Sequence, residues 1–237
     1  MTEFRVALPG AEALFSTRAG GFSHGPYESL NLGLLTGDDR ALVIHNRKRL
    51  AEHADVDPAH VAMGWQVHGT DLREWMEPDP GAAFLDPQGA HLKVDGHITR
   101  KPGIAPLVLT ADCLPVALAG GGAVAMLHCG WRGLAGNIIG RALRRMQAEA
   151  AAIGPGIGAC CYEVGEEVLS EFAGYDGVAD GRMLNLRAVA QAQLHAAGIT
   201  QVEHVDLCTS CNPELFFSHR RDNGVTGRQG GIAWLTA

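Results

Sequence analysis

Three side chains of this 237-residue chain have the donor types of a catalytic metal site. They are His68 in Trp65-Gln-Val-His-Gly-Thr, Cys113 in Thr110-Ala-Asp-Cys-Leu-Pro, and His128 in Leu127-His-Cys-Gly-Trp-Arg-Gly. Each stands at or near the end of an apolar run that reads as a strand, where a loop can present it beside the others. Two imidazoles and one thiolate suit a borderline-soft ion such as Zn2+, and a catalytic zinc commonly keeps three protein ligands and one open position. Spacing alone favours packed or hydrogen-bonded His and Cys instead, because no compact Cys-x-x-Cys…Cys-x-x-Cys pattern ties the three together.

The elements that must position these residues are of mixed type. Short apolar runs over 13–17, 61–67, 94–99, 104–109, 115–119 and 123–127 are separated by Gly, Pro and Asp and read as strands. Several are apolar at every position, the pattern of a strand buried on both faces. Helical periodicity runs over 39–54, 134–152 and 185–197; the second puts Leu134, Ile138, Ile139, Ala142, Leu143 and Met146 on one stripe and Arg141, Arg144 and Arg145 towards water. The stretch 77–88, with Pro78, Pro80 and Pro87, reads as a surface loop carrying little chemistry. Glycines and prolines are spread throughout without a linker or a fixed repeat, so the expectation is one α/β (α+β) domain over 1–237, with packed mixed β-sheets flanked by helices.

Composition narrows the function. A formal net charge of −7 without a dense Lys/Arg run argues against a nucleic-acid surface, and no apolar stretch approaches the roughly 20 residues of a membrane span. The start Met1-Thr-Glu-Phe-Arg-Val lacks the basic and apolar regions of a signal peptide, so a cytoplasmic, reducing setting is expected. The six cysteines are then more naturally ligands, nucleophiles or packing residues than disulfides. A small-molecule partner and a monomer are the expectation.

A resemblance extends along nearly the whole chain. Phe15-Ser-Thr-Arg-Ala-Gly-Gly-Phe-Ser, Ser29-Leu-Asn-Leu-Gly, Asn46-Arg-Lys-Arg-Leu, Gln66-Val-His-Gly, Thr110-Ala-Asp-Cys-Leu-Pro-Val, His128-Cys-Gly-Trp-Arg-Gly, Gly154-Pro-Gly-Ile-Gly-Ala-Cys-Cys-Tyr-Glu-Val-Gly and Cys208-Thr-Ser-Cys…Leu215-Phe-Phe-Ser-His-Arg-Arg-Asp occur in this order. Together they closely resemble the bacterial laccase-domain proteins. Those were once called multicopper polyphenol oxidases and are now regarded as purine nucleoside phosphorylases related to the vertebrate protein FAMIN. The resemblance implies metal ligation by His68, Cys113 and His128, and a fold similar to the deamidase domain of certain bacterial toxins. It also implies phosphorolysis of inosine, adenosine, guanosine or methylthioadenosine to free base and ribose 1-phosphate, with an accessory adenosine deaminase activity. Cys129 stands where the family commonly has Ala, and His219 where Tyr is frequent. A thiol beside a ligand can be oxidised or compete for metal, but free Cys more often packs as a small hydrophobe.

Within that chemistry Zn2+ is the expected cofactor, with copper the alternative. Zinc lowers the pKa of its water to about 7, which suits the deamination directly. Cys113 and His128 are read as catalytic with Asp112, which serves as proton carrier or as an orienting group for a ligand His. Arg47 and Arg132 are the guanidiniums expected to meet phosphate, since planar forked donors match its oxygens; for Arg47 a solvated helix face is the competing expectation. Gln66 and Asn31 are candidates for reading base or ribose edges, although turns and caps are the commoner use of Asn. Cys208 and Cys211 form a lone Cys-x-x-Cys. It is half of a four-cysteine zinc site completed by Cys160 and Cys161, or a redox pair, or simple packing, the last being the commonest outcome. Competing functions are a copper-dependent polyphenol oxidase, which needs several coppers, a cysteine amidohydrolase acting on peptidoglycan precursors through Cys113, and a non-enzymatic zinc-closed binding module.

Overall fold

The run from Leu114 to Cys129 folds as a hairpin whose two strands pair antiparallel with Leu114 opposite Cys129 and Pro115 opposite His128. Its turn is Gly120-Gly121-Gly122, all three at positive φ, and a Cβ on Gly120 would lie 2.4 Å from the main-chain nitrogen of Glu149. This register matters for chemistry, because it brings Cys113, one residue before the first strand, alongside the end of the second strand where His128 sits.

A computed structural model describes residues 2–77, 83–85 and 92–236. In chain order the strands are β1 (Glu3–Leu8), β2 (Ala11–Ser16), β3 (Val61–Ala62), β4 (Leu72–Trp75), β5 (Gly96–Thr99), β6 (Ala105–Thr110), β7 (Leu114–Gly120), β8 (Ala123–Cys129), β9 (Ala150–Ile153), β10 (Ala179–Asp180), β11 (Met183–Leu184), β12 (Gln201–His204) and β13 (Gln229–Leu235). The helices are α1 (Arg40–His53), α2 (Trp131–Ala135), α3 (Ile138–Leu143), α4 (Glu166–Leu169) and α5 (Leu186–Ala196). One sheet has the order β1-β2-β13-β6-β3 and a second β12-β9-β7-β8-β5-β4; β10 and β11 form a separate ribbon.

The two large sheets pack face to face, and strand alternation explains why β7, β9 and β8 up to Leu127 are apolar at every position. Leu114, Val116 and Leu118 of β7, Ala125 and Leu127 of β8 and Ile153 of β9 turn to one side, where they meet Leu134, Ile138 and Ile139 of α2 and α3 and Val189 and Leu194 of α5. The intervening Ala117, Ala119, Val124, Met126, Ala150 and Ala152 turn to the other and meet Ala13, Phe15, Val108 and Ala233 of the first sheet. Its far face packs Leu14, Leu107 and Ile232 against Leu50 and Ala51 of α1. The order of layers is therefore helix, sheet, sheet, helices, a mixed α+β architecture. Each fully buried large aliphatic side chain in these layers contributes about 1.5–3 kcal/mol of burial free energy.

Several sequence expectations shift. The helix expected over 134–152 is broken in two, because Asn137 adopts the left-handed conformation (φ 56°) and its side chain accepts from Gly140 N to cap α3. The predicted stripe holds, with Leu134, Ile138, Ile139, Ala142 and Met146 buried, but Ala150–Ile153 is a strand between β7 and β12. Its alanines mimic a helix because small residues are what the seam between sheets admits. The strand expected over 61–67 keeps only Val61–Ala62; the rest is loop carrying site residues. The terminal strands β1 and β13 go unread, β13 because Gly230-Gly231 suggests a loop. A Cβ on Gly231 would lie 2.7 Å from Pro115 Cβ, so glycine lets the sheets approach there. Of the loop 77–88, residues 78–82 and 86–88 lie outside the described residues; Phe84, read as surface, is fully buried in the core beside α1.

Candidate active site

Asp95, just before β5, organises the centre. Its side chain is fully buried, and its Oδ2 accepts from Gly69 N (2.7 Å) and Val67 N (3.1 Å) while Oδ1 accepts from His68 N (2.9 Å). Three successive amides converging on one carboxylate bend the backbone so that His68 sits at φ 60°, a conformation that costs free energy for a non-glycine residue. The same Oδ1 lies 2.8 Å from His128 Nδ1. With Nδ1 taken, His128 keeps Nε2 for the centre, the arrangement in which a carboxylate fixes ring orientation and raises donor strength.

Ligand atoms of His68, Cys113 and His128 all lie within 4.8 Å of one another, and the two imidazole rings are 4.8 Å apart at an interplanar angle of 70°. Gly130 makes room: a Cβ there would stand 2.9 Å from Cys113 Sγ and 3.3 Å from His68 Cδ2. Burial alone would raise the Cys113 thiol, but the charge of His128 and hydrogen bonds from His128 and His68 outweigh it and bring it to about 6. Burial would lower His128, yet the Cys113 charge and the Asp95 carboxylate raise it to about 9. Thiolate and imidazolium are the forms the site itself favours. Donors of this softness at this separation fit a tetrahedral ion, whose ligands at about 2.0–2.3 Å stand roughly 3.3–3.8 Å from one another. Cys129 does not compete, since strand alternation turns it to the helical side, fully buried among Leu134 and Ile138, and burial pushes its thiol well up.

The centre opens into a cavity of about 570 Å3. Apolar and aromatic side chains line part of it, among them Met63, Trp65, Leu109, Trp131 and Tyr162, and four arginines, Arg47, Arg132, Arg220 and Arg228, line the rest. Burial lowers Arg228, with the charges of Cys113 and Asp112 acting against it. Tyr162 is pushed up to about 12, first by burial and then by Cys113, so its hydroxyl keeps its proton. Arg220 stacks over that ring at 5.1 Å and donates through Nη1 to Glu163 O.

The residues expected from sequence reach the site unequally. Asp112 lines the cavity at φ 92°, buried, with Oδ1 accepting from Thr209 Oγ1 (2.6 Å) and Oδ2 from Arg220 N (2.7 Å). Arg132 lines it from the start of α2, 4.2 Å over the ring of Trp131. Arg47 also lines it, but its helix face is not solvated. The residue is only 3% exposed and donates to the carbonyls of Leu32 (2.8 Å), Ala83 (3.0 Å) and Phe84 (2.7 Å), with burial lowering it to about 9. Gln66 is at the cavity wall with its amide spent on both main-chain groups of Leu109. Asn31 lies off the cavity: Oδ1 accepts from Gly33 N and Arg228 N, and Nδ2 donates to Thr36 and Asp38, which leaves it no free group. Sequence reasoning missed Asp95, Tyr162, Arg220 and Arg228. A carboxylate inside the apolar run Val94-Asp-Gly-His-Ile was the available signal for the first; nothing local marked the arginines.

Comparison with known proteins shows the family. A family model described as multi-copper polyphenol oxidoreductase laccase matches residues 12–236. The chain is 38% identical over 242 residues to purine nucleoside phosphorylase YlmD of Geobacillus stearothermophilus, covering 92% of this chain and 88% of that protein. It is 35% identical over 240 residues to purine nucleoside phosphorylase YfiH of Escherichia coli, covering 95% and 94%. Among solved structures, YlmD from Geobacillus stearothermophilus superposes with a TM-score of 0.89 at 36% identity, over 97% of this chain and 93% of that one. A hypothetical protein YfiH from Bacillus licheniformis superposes at 0.86 and 32% identity, over 95% and 93%.

Proposed function

The chain belongs to the multi-copper polyphenol oxidoreductase laccase family, and from that premise we propose that it is a zinc-dependent purine nucleoside phosphorylase with accessory adenosine deaminase activity. Inosine, adenosine, guanosine or methylthioadenosine and phosphate give free base and the pentose 1-phosphate. The observation that carries this reading is the make-up of one cavity: the His68, Cys113 and His128 group, an aromatic wall and four arginines share a space large enough for a nucleoside and an anion.

His68, Cys113 and His128 would hold the ion, which when bound supplies a Lewis acid that polarises oxygen. The chain's own groups do the rest. Arg132, Arg220 and Arg228 bind phosphate and hold its charge in place as one of its oxygens attacks C1′. The C1′–N9 bond breaks and its electron pair leaves on the purine. Trp65 and Trp131 offer flat apolar faces for the base, and the Tyr162 hydroxyl, still protonated, donates to the departing ring. Asp112 works through Arg220, whose main-chain N–H it anchors, and Arg47 through the segment holding Ala83 and Phe84.

One observation favours a second reading. Asp95, His128 and Cys113 form an acid–imidazole–thiol relay with a lowered thiol, the constellation of a cysteine amidohydrolase. Incubation of metal-analysed protein with each nucleoside, with and without phosphate, separates the two. Base release that requires phosphate, yields pentose 1-phosphate and stops on chelation is expected. Release without phosphate means hydrolysis, and a trapped thioester on Cys113 with an amide substrate supports the second reading.

A further inference from the structure

Four cysteines remain outside this chemistry. The Cys208-Thr-Ser-Cys211 turn and the vicinal Cys160-Cys161 meet on the surface, with all four sulfurs within 4.8 Å of one another. Cys161 Sγ and Cys160 Sγ stand 3.3 Å and 3.5 Å from Cys211 Sγ. Packing, the commonest expectation for such a pair, does not account for them, since Cys160 and Cys211 are exposed and the other two half-buried.

We propose that Cys160, Cys161, Cys208 and Cys211 are a second metal centre, a tetrathiolate site for zinc, separate from the cavity and joining the 158–162 turn to the 208–212 turn. The separations exceed the roughly 2.0 Å of a disulfide and approach the ~3.8 Å edge of a tetrahedron with metal–sulfur bonds of about 2.3 Å. The backbone is built for it. Gly156 bridges Cys208 in parallel, Thr209 N donates to Gly156 O, and Cys161 N donates to Gly158 O. Gly158 N points at Cys208 Sγ at 3.2 Å, the kind of amide-to-sulfur bond that steadies a thiolate. A Cβ on Gly158 would fall 3.1 Å from Cys160 Sγ and 3.2 Å from Cys208 Cβ, so a side chain there would press on both turns. Arg187 is nearby, its Nη1 paired with Asp206 Oδ1 at 2.5 Å and its Nε a buried donor without a partner among the described residues.

The centre would clamp one wall of the cavity. Thr209, between the two cysteines of the turn, donates to Asp112 Oδ1, and Cys161 precedes Tyr162. Zinc here holds the wall; it takes no part in the reaction.

Elemental analysis of protein purified anaerobically without chelator tests this. About two zinc per chain are expected, with Cys113→Ala retaining one and Cys208→Ala/Cys211→Ala retaining the other. Cobalt loaded into Cys113→Ala should give the charge-transfer bands of a tetrathiolate, a readout that stands even if the double variant fails to fold. A single zinc in the wild type that is lost entirely in Cys113→Ala overturns the proposal. So does a disulfide among the four in reduced, anaerobically handled protein, which would make the cluster a redox device.

Discussion

Replacing Asp95 by asparagine exchanges one carboxylate oxygen for an NH2 group at a point where every neighbour is a donor. If the nitrogen takes the place of Oδ2, Val67 N and Gly69 N lose their acceptor and face a third N–H. At about 1–3 kcal/mol for each buried donor left unpaired, the loss is roughly 2–6 kcal/mol. If it takes the place of Oδ1, His68 N is orphaned and His128 must move its proton to Nε2, the nitrogen it offers to the centre. Either outcome undoes the His68 loop or the His128 donor, so metal affinity should fall about 10–100-fold. Urea unfolding near neutral pH, read beside metal content after dialysis, measures both. An Asp95→Asn variant that unfolds within about 0.5 kcal/mol of wild type and retains its metal would refute the reasoning, because surface-like substitutions alone behave that way.

Gly130→Ala should weaken metal binding about tenfold or more, as its methyl group must displace Cys113 Sγ or the His68 ring; competition with a coloured chelator reads this directly. His97 is fully buried and held at about 4 by that burial, with the Asp95 charge acting the other way. The unfolded chain takes up this proton near pH 6.5, so the stability the group contributes is complete above that pH and is lost as pH falls towards 4. The loss is up to about 3 kcal/mol, and His97→Phe should flatten the wild-type curve of stability against pH in that window. Arg47→Met strands three carbonyl acceptors and should cost about 3 kcal/mol or more in thermal or urea unfolding, whereas Arg220→Ala should raise the KM for phosphate with a much smaller loss of stability.

How much of this the sequence disclosed depends on whether the signal is local. Apolar runs bounded by glycine made β6, β7 and β8 readable, and α1 and α5 fall within a residue of their expected limits, each opened by an Asp or Asn that caps a main-chain N–H. His68, Cys113 and His128 stood out because a polar donor at the end of an apolar strand is conspicuous. What stayed hidden depends on distant partners. Ala150–Ile153 is a strand only because β7 and β12 flank it. Asn31 and Gln66 looked available for ligands until their amides were found on main-chain groups far along the chain. Arg47 reads as a phosphate ligand or a solvated side chain because a helical stripe does not reveal that Ala83 and Phe84 fold back over it. Arg220 and Arg228 come from a loop region without periodicity.

The carboxylate that gathers the amides of residues 67–69 also settles when the centre takes shape. Its donors are brought together by the chain's own hydrogen bonds, so loading an ion requires little rearrangement and can follow folding. Two imidazoles and one thiolate are donors that accept copper as readily as zinc. Intrinsic affinities then rank copper above zinc, and the supply at the moment of filling decides the occupant. One set of ligands would thus admit either ion, according to which is on hand when the site fills.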